Sequence, residues 1–177
     1  MDVELNQLNV SSFALEIQQI PIIKYTCQTM TFPGISLPAV DQDTPFVVAP
    51  SPGDHIENEE LSFSFIVDEK MRNYLALRYW IRMLGFPETY EQFKSIIQGN
   101  SANPDFQPFF RDSKLNQFSD VTVTLLSNHK NPIFRARFLD CVPVNLSGFD
   151  LSVTNLTTEP VTATASLRFT DMLLEPV

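Results

Sequence analysis

The stretch from Val161 to Thr170 constrains the fold of this chain more than any other. Val161, Ala163, Ala165, Leu167 and Phe169 alternate there with Thr162, Thr164, Ser166, Arg168 and Thr170. A period of two puts the apolar side chains on one face of an extended strand and the polar ones on the other. The chain must therefore build a sheet with one buried face and one wettable face. Leu61, Phe63, Phe65 and Val67 repeat the pattern with Ser62 and Ser64 on the opposite side, and Phe13, Leu15 and Ile17 begin it. Tyr25–Phe32 reads as a further strand stopped by Pro33-Gly34, and Ile35, Leu37 and Val40 as a short extended piece. Val121, Val123 and Leu125, then Phe134, Ala136 and Phe138, predict a hairpin about a turn at Asn128–Asn131.

The apolar spacing turns helical between Glu69 and Leu84, carried by Leu75, Leu77, Trp80, Ile81 and Leu84. Asp68 is placed to cap this helix, and Gly85 and Pro87 to end it. A shorter helix is expected over Glu88–Gln98, followed by a turn-rich stretch, Gly99–Lys114. Asp41–Asn58 holds Pro45, Pro50, Pro52 and Gly53, so it reads as a long extended arm without regular pairing. The polar run Ser152–Thr158 precedes the last strand. With no repeat and no linker in 177 residues, a single domain spanning 1–177 is expected. Roughly seven strands and one good helix predict a mainly β fold, a sandwich or barrel with a flanking helix.

Fifteen Phe against one Trp and four Tyr place most of the aromatic mass in a core or in subunit contacts. The formal charge of −9 repels phosphate and argues against sequence-specific nucleic-acid binding. Arg135 and Arg137 alternate with Phe134 and Phe138, so a strand puts the cations on one face and the rings on the other. No stretch approaches the ~20 apolar residues of a membrane helix, and Met1-Asp2-Val3-Glu4 lacks the charge of a secretory signal. The expectation is no membrane insertion and synthesis in a cytosol.

Catalytic groupings are not legible. The two histidines, His55 in the arm and His129 in the hairpin turn, sit beside no Gly-flanked nucleophile. Asp41 with Asp43, and Glu57 with Glu59 and Glu60, lack the spacing of a calcium loop. Cys27 and Cys141 match no metal-ligand spacing and read as two reduced thiols. No Gly-rich phosphate loop is present. The expectation is a non-enzyme with no cofactor and no metal.

Three stretches together resemble the tail-tube family of contractile-tailed phages, with its relatives in the baseplate hub and in type VI secretion tubes. They are the opening strands Phe13–Ile20 and Tyr25–Phe32 with Pro33-Gly34-Ile35-Ser36-Leu37; Leu61–Val67 with Asp68-Glu69 and the helix ending Trp80-Ile81-Arg82-Met83-Leu84-Gly85-Phe86-Pro87; and Phe138-Leu139-Asp140-Cys141-Val142-Pro143 with Leu146-Ser147-Gly148 and the closing strand. Gly99–Lys114 is longer and richer in Phe and Pro than that family's pattern. The resemblance implies a tail-tube-type β-sandwich or barrel that assembles with itself into stacked hexameric rings. Phage DNA would pass through the lumen without sequence-specific binding. Tail sheath, baseplate hub and tail terminator proteins would be partners, in a virion tail assembled in the host bacterial cytoplasm.

On the same footing, Asp41, Asp43, Pro45, Phe46, Pro50, Pro52, Asp54 and Glu57 of the arm are candidates for contacts between subunits or rings. Ser62, Ser64, Thr162, Thr164 and Ser166 are candidates to face the lumen. Without the resemblance, the simpler reading of these residues comes first: hydroxyls facing solvent on an ordinary sandwich, and a plain surface loop. A baseplate hub, tube-initiator or tube-end ring shares the architecture, as does a secretion-type tube. A carbohydrate-binding sandwich would need exposed Trp or Tyr platforms, whereas Trp80 lies in the apolar stripe of the helix.

Overall fold

The computed structural model describes residues 13–43, 45–85, 90, 94, 116–127, 129–151 and 160–176. The expected helix Glu88–Gln98, the stretch Gly99–Lys114 and the run Ser152–Thr158 lie essentially outside them.

In chain order the elements are β1 (Phe13–Ile17), a 3-10 turn (Pro21–Tyr25), β2 (Cys27–Thr31), β3 (Ile35–Ser36), β4 (Ala39–Asp43), β5 (Val48–Pro52), β6 (Glu57–Asn58), β7 (Leu61–Ile66), α1 (Arg72–Gly85), β8 (Ser119–Leu126), β9 (Pro132–Leu146), β10 (Thr162–Arg168) and β11 (Asp171–Pro176). The fold is mainly β, as the alternating stretches predict. Seven strands form one antiparallel sheet in the order β1-β8-β9-β10-β7-β2, with β11 also beside β9.

The apolar halves of these strands form a single core. Leu15 and Ile17, Leu61, Phe63 and Phe65, Val121 and Val123, Ala136 and Phe138, and Ala163, Ala165 and Leu167 are all buried. Helix α1 adds Ala76, Leu77, Trp80 and Met83, spaced so that one stripe faces the sheet. Trp80 is fully buried, in accord with its place in the sequence stripe.

The helix starts at Arg72, later than the expected Glu69. Asp68–Met71 form a turn, with the Met71 N–H donating to the Asp68 carbonyl at 2.7 Å and Met71 at φ 53°. A left-handed residue cannot continue a right-handed helix backwards, so Met71 fixes the first turn. The Asp68 carboxylate accepts from Arg72 Nε at 2.7 Å instead of capping a helix N–H.

Strand β9 is the spine of the sheet. Along one edge it pairs with β8; along the other it pairs first with β11 and then with β10. The change of partner falls at Asp140, a non-glycine residue at φ 52°. Its N–H donates to Asp120 Oδ1 at 3.4 Å, and the Thr170 N–H donates to the Leu139 carbonyl at 3.0 Å. An extra residue in such a bulge bends the strand, which lets one sheet wrap the core from two sides. Strand β11 lies beyond the stretch read as the final strand.

Candidate assembly surfaces

The expected irregular arm is a β-hairpin, which corrects the sequence reading. Thr31 pairs with Ser62 at the base, the Glu59 N–H donates to the Gly34 carbonyl at 3.0 Å, and Ile35–Ser36 pair with Asn58–Glu57. After a slip in which Leu37 stands against Asp54, His55 and Ile56, pairing resumes. The Gly53 N–H meets the Pro38 carbonyl at 2.7 Å, and Ala39–Asp43 pair with Pro52–Val48. The arm thus carries the β2–β7 ladder outward. Nine residues from Ile35 to Asp43 span ~30 Å at ~3.3 Å per residue.

The prolines do not prevent this pairing, because of where their nitrogens point. Gly53 donates inward to Pro38, so the alternate residues Ser51 and Ala49 also point their N–H groups at β4. Pro50 and Pro52 fall between them, where the missing donor would face outward. Proline is tolerated at such an edge position. It also leaves the outer edge of β5 poor in donors, which disfavours further strand addition there.

All of the candidate arm residues sit on this hairpin. Asp41 and Asp43 lie in β4, Pro45 and Phe46 at the tip, Pro50 and Pro52 in β5, Asp54 in the slip, and Glu57 in β6. Every residue of β4 is exposed. Phe46 is 98% exposed, and Val40, Val47, Val48, Leu37, Ile35 and Ile56 are all more than half exposed. A two-stranded ribbon of this kind is marginally stable alone in water, and clustered exposed apolar side chains mark a docking surface.

The second surface is the polar face of β2, β7 and β10. The register lines up Thr164, Ser64 and Thr29 in one row and Ser166, Ser62 and Thr31 in the next. Thr29 Oγ1 and Ser64 Oγ share a hydrogen bond of 2.6 Å. Thr162 and Thr164 are exposed, and Ser62 and Ser64 are half-buried. Ser166 stands apart from the other candidates: it is 6% exposed, and its Oγ donates to Glu60 Oε2 at 2.8 Å while Arg168 approaches Glu60 Oε1 at 3.6 Å. The sequence reading missed Thr29 and Thr31, although the alternation Cys27-Gln28-Thr29-Met30-Thr31 carries them.

The outward face of β1, β8, β9 and β11 is different. Its groove of about 530 Å³ is lined by Glu16, Lys24, Asp120, Arg135, Arg137, Glu175 and intervening polar residues. Lys24 pairs with Glu16 at 3.1 Å, and Arg137 approaches Asp120 at 3.9 Å. Equal numbers of cations and carboxylates line it, so it offers no net charge to a ligand.

Among the described residues no group of three or more His, Cys, Asp or Glu could hold a metal ion. His55 lies 3.5 Å from Glu57 on the arm, both well exposed. Both cysteines are free, and burial pushes the Cys27 thiol up to about 11 and the Cys141 thiol to about 12. Nucleophilic thiols need the opposite shift. No described helix is long and apolar enough to cross a membrane.

Within the seven-stranded sheet, three strands have a partner on only one side among the described residues. They are β1, β2 and β11, and no pairing joins β1 to β2 to close a barrel within the chain. On β11, Leu173 and Leu174 are 39% and 49% exposed.

No protein-family model matches the chain, and no curated protein matches it in sequence. Solved structures share its fold over nearly its whole length. A chain of the anti-feeding prophage tube-terminating cap superimposes with a TM-score of 0.62 at 11% identity, over 100% of this chain and 97% of that one. A chain of the 6-fold symmetrised anti-feeding prophage baseplate gives 0.56 at 13% identity, over 99% and 97%. A chain of the extended sheath–tube complex of an extracellular contractile injection system (PVC) gives 0.56 at 14%, over 99% and 95%. The tail-tube-type fold implied by the resemblance is the fold observed.

Proposed function

We propose that this chain is a structural, non-enzymatic building block of a contractile tail or injection device, assembling with itself into stacked hexameric rings that form the inner tube. The observation that carries this reading is the combination of open strand edges with a fold shared, end to end, with chains of tube, baseplate and cap assemblies. An unpaired edge is a template for another strand, and closure into a ring of copies removes it. The 6-fold symmetrised baseplate supports six copies per ring. The hydroxyl rows on β2, β7 and β10 suit a lumen: wettable, nearly uncharged and without grip on phosphate. Sheath, baseplate hub and tail terminator proteins are the partners this reading assigns, with DNA as the cargo in a phage tail.

A ring at the end of the tube is the second reading. It is favoured by the TM-score of 0.62 with the tube-terminating cap chain, against 0.56 for the sheath–tube chain. Negative-stain microscopy of the purified protein tests both. Stacked tubes support the main-tube role and single rings the end-ring role. A monodisperse monomer at high concentration, unchanged by any tail partner, overturns both.

A further inference from the structure

Of the strands beside β9, β11 is the one that its side chains hold least. Strands β8 and β10 send Val121, Val123, Ala163, Ala165 and Leu167 into the core. Strand β11 buries no side chain: five of its six residues are exposed, and only Met172, half-buried, packs against the core. Among the described residues no ion pair and no side-chain hydrogen bond ties β11 to another element. The Asp171 carboxylate accepts from its own neighbour, the Met172 N–H, at 2.8 Å. The outer edge of β11 is unpaired among the described residues. Its attachment is therefore the backbone ladder to β9 and little else.

The register identifies the amides in that ladder. The Gln18 N–H donates to the Asp120 carbonyl at 3.0 Å, so Asp120 turns its backbone to β1 and Val121 and Val123 alternate to face β9. They stand opposite Phe138 and Ala136, whose N–H groups therefore serve β8. Arg137 and Arg135 point the other way and pair with Leu173 and Glu175 of β11. One strand thus carries two sets of bonds, one leading into the buried sheet and one to an exposed edge. At the joint with β10, the Phe169 ring packs edge-on against Phe138 with centroids 4.9 Å apart, and the Thr170 N–H donates to the Leu139 carbonyl at 3.0 Å. We propose that β11 is a strap, which lifts from β9 about Thr170 while the core and the other strands stay in place. Local opening belongs where few apolar contacts back solvent-exposed backbone bonds. Seated, the strap shields the backbone groups of Arg135 and Arg137, which would otherwise be a template for strand addition. The strap is a property of a single copy and stands without the ring reading.

Residue-resolved amide hydrogen exchange of the wild-type chain tests this, at a dilution where sedimentation shows single copies. The Arg135 and Arg137 amides should be protected at least ~100-fold less than those of Ala136 and Phe138, their neighbours on the same strand. Equal protection of all four would mean that β11 leaves only when the sheet unfolds, and overturns the strap. A clamp supplies the second arm. Ala136 and Leu174 are partners at a position where β9 and β11 exchange no hydrogen bond. Cα atoms at such a position lie ~4.5 Å apart, within reach of a disulfide. Ala136→Cys with Leu174→Cys, oxidised and with the link between positions 136 and 174 confirmed by peptide mass, should bring the four protections within ~10-fold of one another. Reduction should restore the difference. A difference that persists in the clamped protein would place the opening elsewhere and overturn the joint at Thr170. The wild-type comparison decides the question whether or not the clamp forms.

Discussion

Asn73 Nδ2 donates to the Ile66 carbonyl at 2.7 Å, and this bond fastens the start of helix α1 to the end of strand β7. The same amide nitrogen lies 3.2 Å from Thr26 Oγ1, and Asn73 Oδ1 accepts from the N–H groups of Asp68 and Tyr74 at 3.2 and 2.9 Å. Asn73 is fully buried, so its amide settles backbone groups that water cannot reach. Asn73→Ala leaves the Ile66 carbonyl and the Asp68 N–H without these partners and should cost ~1–3 kcal/mol. Urea unfolding should show a lower midpoint at unchanged slope. An unaltered midpoint would show that the clamp carries no stability.

Asp140 adopts φ 52° at the bend of β9, where a side chain is strained and glycine is not. Its carboxylate makes no hydrogen bond among the described residues. Asp140→Gly should therefore be neutral or stabilising by up to ~1 kcal/mol, and Asp140→Val destabilising by more than that. Thermal midpoints of the two variants give the comparison, and equal losses in both would exclude strain as the cause.

Both thiols are raised by burial, Cys27 to about 11 and Cys141 to about 12. In the unfolded chain a thiol ionises near ~8.5. Below that value both states are protonated and the contribution of burial to stability is fully present. As pH rises further, the unfolded chain ionises first, so stability falls until the folded values are passed. The thermal midpoint should drop between about pH 9 and pH 11, and drop less steeply in Cys141→Ala. At pH 8 a thiol reagent should label the fully buried Cys141 only when the chain unfolds, whereas the half-buried Cys27 is open to slow reaction; rapid labelling of Cys141 in the native protein would contradict its burial.

Pro50 and Pro52 leave the outer edge of β5 without donors at two successive outward positions. Replacing both with Ala restores two outward N–H groups and completes a ladder that any free strand can join. The double variant should keep its fold and aggregate faster, seen as rising light scattering at equal concentration. Scattering equal to wild type would mean that the prolines serve only the shape of the hairpin.

The central strands were legible because each is half-buried: Leu61, Phe63 and Phe65 enter the core while Ser62, Ser64 and Ile66 stay outside it, and the period of two records that division. The pairing of the arm was not, since Pro50 and Pro52 break the pattern by composition and are harmless only once the partner strand is known. Strand β11 was missed for a different reason. Met172, Leu173 and Leu174 form a short apolar run without alternation, as befits an edge strand whose two faces are both partly covered. Asn73 reads as a polar position on an amphipathic helix, although it lies four and seven residues before the buried Leu77 and Trp80 and so shares their face. Among the candidates for the polar face, Ser62, Ser64, Thr162 and Thr164 do share one surface, and only a three-dimensional neighbour, Glu60, explains why Ser166 is withdrawn from it.

The slip between Leu37 and Asp54–Ile56 gives the hairpin a joint. Leu37 and Ile56 are 54% and 60% exposed there, and no core side chain depends on them. Substitution or insertion at this point re-aims the distal ribbon without disturbing the domain that carries it. In the ring proposed above, the pitch between neighbouring copies would therefore be free to drift on its own, and two such chains with interchangeable cores need not be able to share one assembly.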